Sequence, residues 1–104
     1  MKIQVNTDRT IEGNESLEEH TREILERVLK HFTEKITRME VHLGEKRSAD
    51  HGDIMETHCM LEVRVAGLQP VAVNDSATTL DQAVTGAARK MESMLESEFG
   101  RLGR

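Results

Sequence analysis

The 104-residue chain has room for one compact domain, residues 1–104, and its 37% hydrophobic content suffices for one small core. Its 14 Lys and Arg stand against 19 Asp and Glu, a formal charge of −5, which excludes generic attraction to nucleic acid or an anionic membrane and requires any contact with a polyanion to be local. A single cysteine, Cys59, excludes an internal disulfide, and the lack of Trp and Tyr with only two Phe excludes a base-stacking platform of several aromatics. No apolar run reaches the ~18 residues of a membrane span, and Met1-Lys2-Ile3-Gln4 leads into an alternating pattern unlike a signal peptide. A soluble, cytoplasmic protein is expected.

Lys2 to Thr7 alternate, with Ile3, Val5 and Thr7 on one side and Lys2, Gln4 and Asn6 on the other, the period of a half-buried first strand. Leu17, Thr21, Ile24, Leu25, Val28 and Phe32 then recur at helical spacing and predict a first helix of about 18 residues, capped by Asn14 or Ser16. On its wet side Glu18 and Arg22, Glu23 and Arg27, and Glu26 and Lys30 are four apart in acid-first order, and each pair is expected to contribute roughly 0.2–0.5 kcal/mol. Met39, Val41 and Leu43 alternate with Arg38, Glu40 and His42, a second strand over about Ile36 to Leu43, with a polar loop from Gly44 to Asp53 after it.

Cys59, Leu61, Val63 and Val65 alternate with Met60, Glu62, Arg64 and Ala66 as a third strand. The turn Gly67-Leu68-Gln69-Pro70 leads to a fourth, Val71-Ala72-Val73, with Pro70 where a missing amide is tolerated. Leu80, Val84, Ala87, Met91, Leu95 and Leu102 mark a long second helix, opened by Thr78 or Thr79 with Asp81 in its first turn. The order β-α-β-β-β-α predicts an α+β fold, a four-stranded sheet with two helices packed on one face. Gln4, Asn6, Arg38, Glu40, Glu62 and Arg64 then belong on the open face.

The chain lacks a Gly-rich phosphate loop, a nucleophile elbow and an acid pair placed together, so an enzyme is not expected and no cofactor is implied. His20, His31, His42, His51 and His58 lack the i, i+4 pairing of a zinc site, and no metal is expected. Cys59 falls on the apolar side of its strand as a small buried hydrophobe, and Met39, Met60, Met91 and Met94 read as core filler. On the second helix, Lys90, Ser93, Ser97 and Arg101 share one flank of the apolar stripe, while Asp81, Glu92 and Glu96 share the other. Gly86 and Ala83 adjoin the basic flank, where a phosphate backbone can approach closely. Lys90 and Arg101, with Lys30 at the end of the first helix, are expected to face one phosphate track.

Several strings in this order resemble the ribosome hibernation and stress-response factor family, also described as sigma-54 modulation proteins. They are Met1-Lys2-Ile3-Gln4-Val5; Arg27-Val28-Leu29-Lys30-His31-Phe32, where the family has a basic-apolar-x-Lys-aromatic-Phe pattern; the strand from Ile36 to Leu43; and Leu80-Asp81-Gln82-Ala83-Val84 with Arg89-Lys90-Met91-Glu92. The resemblance spans essentially the whole chain. It implies binding to the small ribosomal subunit, on its 16S rRNA in the channel used by messenger and transfer RNA, with translation blocked under stress.

In that family both helices present basic side chains to ribosomal RNA. Arg27 and Lys30 match such positions on the first helix and Lys90 on the second, and with their neighbours the expected RNA-binding set is Arg22, Arg27, Lys30, Arg89, Lys90 and Arg101. The length resembles the family's short forms, which lack a carboxy-terminal dimerisation domain, so a monomer or weak homodimer is implied. Ser93, Glu96 and Ser97 stand where the family commonly has Arg or Lys, and Asp81 where it often has Tyr. Fewer neutralised phosphates mean weaker RNA affinity and a flatter salt dependence. The alternative is a non-enzymatic protein interaction module that has kept the fold and lost the ribosome. Four basic and four acidic residues over 78–104 do not separate the two.

Overall fold

A computed structural model describes residues 1–48 and 52–102, the last two as backbone only. The elements run β1 (Lys2–Thr7), α1 (Glu15–Val28), a 3-10 turn (Lys30–Phe32), β2 (Ile36–Arg47), β3 (Met55–Val65), β4 (Val71–Ala77) and α2 (Leu80–Leu102). They form one sheet of order β1-β2-β3-β4, in which β1 runs parallel to β2 and the remaining neighbours are antiparallel. The expected β-α-β-β-β-α order is therefore present.

Register explains the layering. Ile3 lies beside Met39 and Val5 beside Val41, and Met39, Val41 and Leu43 pair with Val63, Leu61 and Cys59. Val73 continues the row from Leu61. Because side chains alternate along a strand, this puts every buried apolar strand residue on one face. Ile24, Leu25 and Leu29 close over it from α1 and its end, and Ala83, Val84, Ala87, Ala88, Met91 and Leu95 from α2. Thr21 is fully buried among them, its hydroxyl satisfied by donating to the Leu17 carbonyl at 2.8 Å. Met39 and Met91 are core residues as expected; Met60 is exposed because it falls on the open face of β3, and Met94, although on the apolar stripe of α2, is exposed where it lines a depression beside the β3–β4 turn.

On the open face Arg38 lies opposite Arg64 and Glu40 opposite Glu62. Like charges across a ladder repel, and the pairing runs along the strands instead. Arg38 donates to Glu40 Oε1 from Nε at 3.0 Å and to Gln4 Oε1 at 2.7 Å, and Arg64 lies 3.6 Å from Glu62. The Arg38 hydrogen bond holds the Glu40 carboxyl below its ordinary range.

Helix caps and strand ends refine the sequence reading. Asn14, not Ser16, caps α1 by accepting the Leu17 N–H at 2.9 Å, and Thr79 caps α2 by accepting the Gln82 N–H at 3.2 Å. α1 stops at Val28, shorter than the expected helix, because the chain tightens into the 3-10 turn that carries Phe32 into the core. The polar loop expected from Gly44 is instead largely strand: Glu45, Lys46 and Arg47 pair with Thr57, Glu56 and Met55. This ribbon outruns β1, whose pairing ends at Thr7 with Leu43, so no apolar alternation announces it. Residues 49–51 of that loop, with His51, lie outside the described residues. The fourth strand likewise runs on past Val73 to Ala77.

Glycine permits one close approach. Asp75 sits beside Cys59 on the helix-facing side of edge strand β4, and a Cβ at position 86 would collide with its carboxylate. Burial, aided by the Asp75 charge, pushes the Cys59 thiol up to about 12. Leu61→Ala is expected to lower unfolding free energy by about 2–5 kcal/mol, and Gly86→Val by about 1–3 kcal/mol through overpacking. Exposed Ser97→Val should stay within about 0.5 kcal/mol. Urea unfolding midpoints of the three variants check this.

Candidate nucleic-acid interface

The cations proposed from sequence fall into three groups once the helices are packed. Lys90 projects toward β4, where its Nζ donates to the Asn74 carbonyl at 2.9 Å and lies 3.2 Å from Asp75 Oδ1. It thereby caps an edge-strand carbonyl, a common guard against edge-to-edge pairing. The flank that the helical wheel marks as basic is thus turned toward β4, its one described cation already committed. Arg101's side chain lies outside the described residues.

α1 meets the opposite flank of α2. His20 Nε2 lies 2.7 Å from Asp81 Oδ1, and at the far end the rings of Phe32 and Phe99 stack with centroids 5.7 Å apart. Lys35 Nζ sits 4.3 Å from the centroid of Phe99. Lys90 and Lys30 therefore do not share a track, because helix α2 and its β4 contacts separate them.

The His20–Asp81 bond fixes which side chains line the groove between the helices. Both helices run antiparallel to the strands that precede them and so parallel to each other. Arg27 is seven residues beyond His20, a rotation within about 20° of two full turns, so it lies on the same α2-facing line about 10 Å further along. Ala88 stands in the same relation to Asp81 and is fully buried, with Arg89 beside it and exposed. Arg27 thus borders the groove, whereas Arg89 lies about 100° around α2 from Ala88, on its exposed outer arc at similar height, and Glu92 and Glu96 lie on the flank toward α1. Lys30, exposed in the 3-10 turn, follows Arg27 at the same end.

None of these three cations has a partner among the described residues. The acid-first pairs expected along α1, Glu18 with Arg22, Glu23 with Arg27 and Glu26 with Lys30, do not close to 4.0 Å. Exposed pairs of this kind gain little against side-chain entropy. Arg22 is placed differently from the others. It lines a depression with Glu15, Glu18, Glu19, Glu23 and Glu26, on the arc of α1 that turns away from α2. The six candidates therefore resolve into an exposed, unpaired set (Arg27, Lys30, Arg89), an Arg22 among glutamates, a committed Lys90 and an Arg101 whose side chain lies outside the described residues. Sequence reasoning missed His20 as a groove residue; the signal was its seven-residue spacing from Arg27.

Elsewhere, a depression of about 680 Å³ lies between the β3–β4 turn and α2 and is lined by Leu68, Pro70, Val71, Met94 and Glu98 among others. Among the described residues no three His, Cys, Asp or Glu side chains come together to hold a metal ion, and no helix is long and apolar enough to cross a membrane.

No curated protein matches the sequence. Among solved structures the chain is similar to a ribosomal subunit interface protein from Coxiella burnetii, with a TM-score of 0.76 and 15% identity over 96% of this chain and 99% of that one. It is also similar to the N-terminal domain of Protein Y from Thermus thermophilus, with a TM-score of 0.71 and 18% identity over 93% and 98%. At such identities the likeness establishes the fold. The sequence profile of sigma 54 modulation protein / S30EA ribosomal protein matches residues 3–102, and the chain belongs to that family.

Proposed function

We propose that the protein is a ribosome-associated factor that binds the small subunit in the messenger and transfer RNA channel, through 16S rRNA, and inhibits translation. It works at the ribosome and hence in the cytoplasm. Family membership supports the association. The observation that supports the RNA contact is that Arg27, Lys30 and Arg89 are exposed on the two helices with no side-chain partner among the described residues. Phosphate contacts fix position and supply affinity without reading sequence, and guanidinium groups suit bidentate phosphate binding. Three exposed cations on a chain of net charge −5 imply binding that weakens with salt along a modest slope.

Co-sedimentation with purified 30S and 70S particles at low and moderate salt tests this. Arg27→Glu with Arg89→Glu should abolish it, whereas Lys90→Ala and Arg22→Glu should leave most of it. With both arginines changed to Ala, the slope of log affinity against log salt should flatten by about 1.4–1.8. Absence of binding by the parent even at low salt would move the reading to a protein interaction module.

A further inference from the structure

We infer that Lys90 and Asp75 together form a guard that keeps edge strand β4 from pairing with β4 of a second copy of this chain. The inference is independent of the ribosome reading. It rests on which backbone groups β4 turns outward and on what occupies the space beside them.

The Leu43 carbonyl accepts the Asp8 N–H at 3.1 Å just past the end of β1, so Leu43 turns its backbone groups toward the β1 side of the sheet. In an antiparallel ladder these directions alternate from residue to residue. Carried across the register, Cys59, Leu61 and Val63 bond to β4 at Asp75, Val73 and Val71, and the N–H and C=O groups of Ala72, Asn74 and Ser76 point away from the sheet. The bond from Lys90 agrees with this, since it ends on the Asn74 carbonyl.

An edge of this kind is self-complementary. A second copy laid antiparallel about a two-fold axis at Asn74 brings Asn74 opposite Asn74 and Ala72 opposite Ser76, and each facing pair exchanges two hydrogen bonds. The side chains of Ala72, Asn74 and Ser76 are small and lie on the open face, so none obstructs the approach.

Lys90 stands at the centre of that edge. Its Nζ, 2.9 Å from the Asn74 oxygen, takes the place of the incoming Asn74 N–H and sets there a charge that strand pairing would strip of water. Asp75 Oδ1, at 3.2 Å, holds the ammonium in position, and Gly86 leaves room for the carboxylate between β4 and α2. The carboxylate also guards the edge in its own right. In the paired arrangement the Asp75 side chains of the two copies lie on one face, diagonal to each other across the axis, where like charges repel.

Sedimentation equilibrium of the full chain at up to about 1 mM protein, where even a weak dimer is populated, tests this. The parent should stay at 11.8 kDa, and Lys90→Arg with it. Lys90→Ala with Asp75→Asn leaves the net charge at −5 and should double the mass, with amide exchange at Ala72, Asn74 and Ser76 slowed about tenfold. Lys90→Ala alone should dimerise more weakly and gain with added salt, which screens the Asp75 carboxylates. Adding Asn74→Pro to the double variant removes an outward N–H that gives no bond to β3 and should restore the single-chain mass. A parent already dimeric, a folded double variant that stays at 11.8 kDa, or association that survives Asn74→Pro overturns the inference. So does a Lys90→Ala chain that stays monomeric at about 1 M salt, a result that does not depend on the double variant folding.

Discussion

The pairing of β2 with β3 is the constraint on which everything else depends. It sets Met39, Val41 and Leu43 against Val63, Leu61 and Cys59, all buried. A slip of one residue would move that whole set to the open face, where Arg38, Glu40, Glu62 and Arg64 now form their own ion pairs. With the apolar face fixed, both helices have one place to pack. α1 reaches it through the parallel crossover from β1 to β2, and α2 arrives from edge strand β4. The two helices lie side by side and parallel because of this connectivity, and their groove is a product of the sheet.

Charge is then distributed by what each flank of a helix meets. The flank of α2 toward β4 meets Asp75, held over Gly86, and Lys90 is drawn into that contact. The flank toward α1 meets His20 through Asp81, and Arg27 and Arg89 stand exposed on the two helices further along. The outer arc of α1 carries five glutamates around Arg22. For a chain of charge −5 this segregation matters more than the total. On the proposed reading, a polyanion is repelled at long range and met only by the exposed cations of the helices, which favours a single docking orientation over non-specific adhesion.

Much of this was legible in the sequence because the strands are one-sided. Strict alternation in Ile36 to Leu43 and in Cys59 to Val65 identified the core face, and helical spacing from Leu17 and from Leu80 found both helices. The β2–β3 ribbon beyond Gly44 was not legible, because it outruns β1 and, past Thr57, β4 as well, and its Glu45, Lys46 and Arg47 show no apolar alternation. A helical wheel gave the azimuths of Lys90 and Asp81 correctly but not which neighbour each flank would meet, and that decided the site. Lys90 reads as a free cation until Asp75, fifteen residues earlier, is placed beside it through β4 and Gly86. Arg27 read as the partner of Glu23, since propensity arguments count local pairs and cannot show that an exposed pair stays open.

The central claim is that the exposed face of the two helices, not the sheet, faces ribosomal RNA. Directed hydroxyl-radical probing tests it most directly, because the native Cys59 is fully buried with its thiol pushed up to about 12 and so does not take the label. An iron chelate would be attached through Ser93→Cys, one turn beyond Arg89 on the exposed arc of α2, or through Arg64→Cys on the open sheet face. In complexes with 30S subunits the account predicts strong local cleavage of 16S rRNA from the position-93 probe and little from position 64. Cleavage from position 64 with none from position 93 would contradict it.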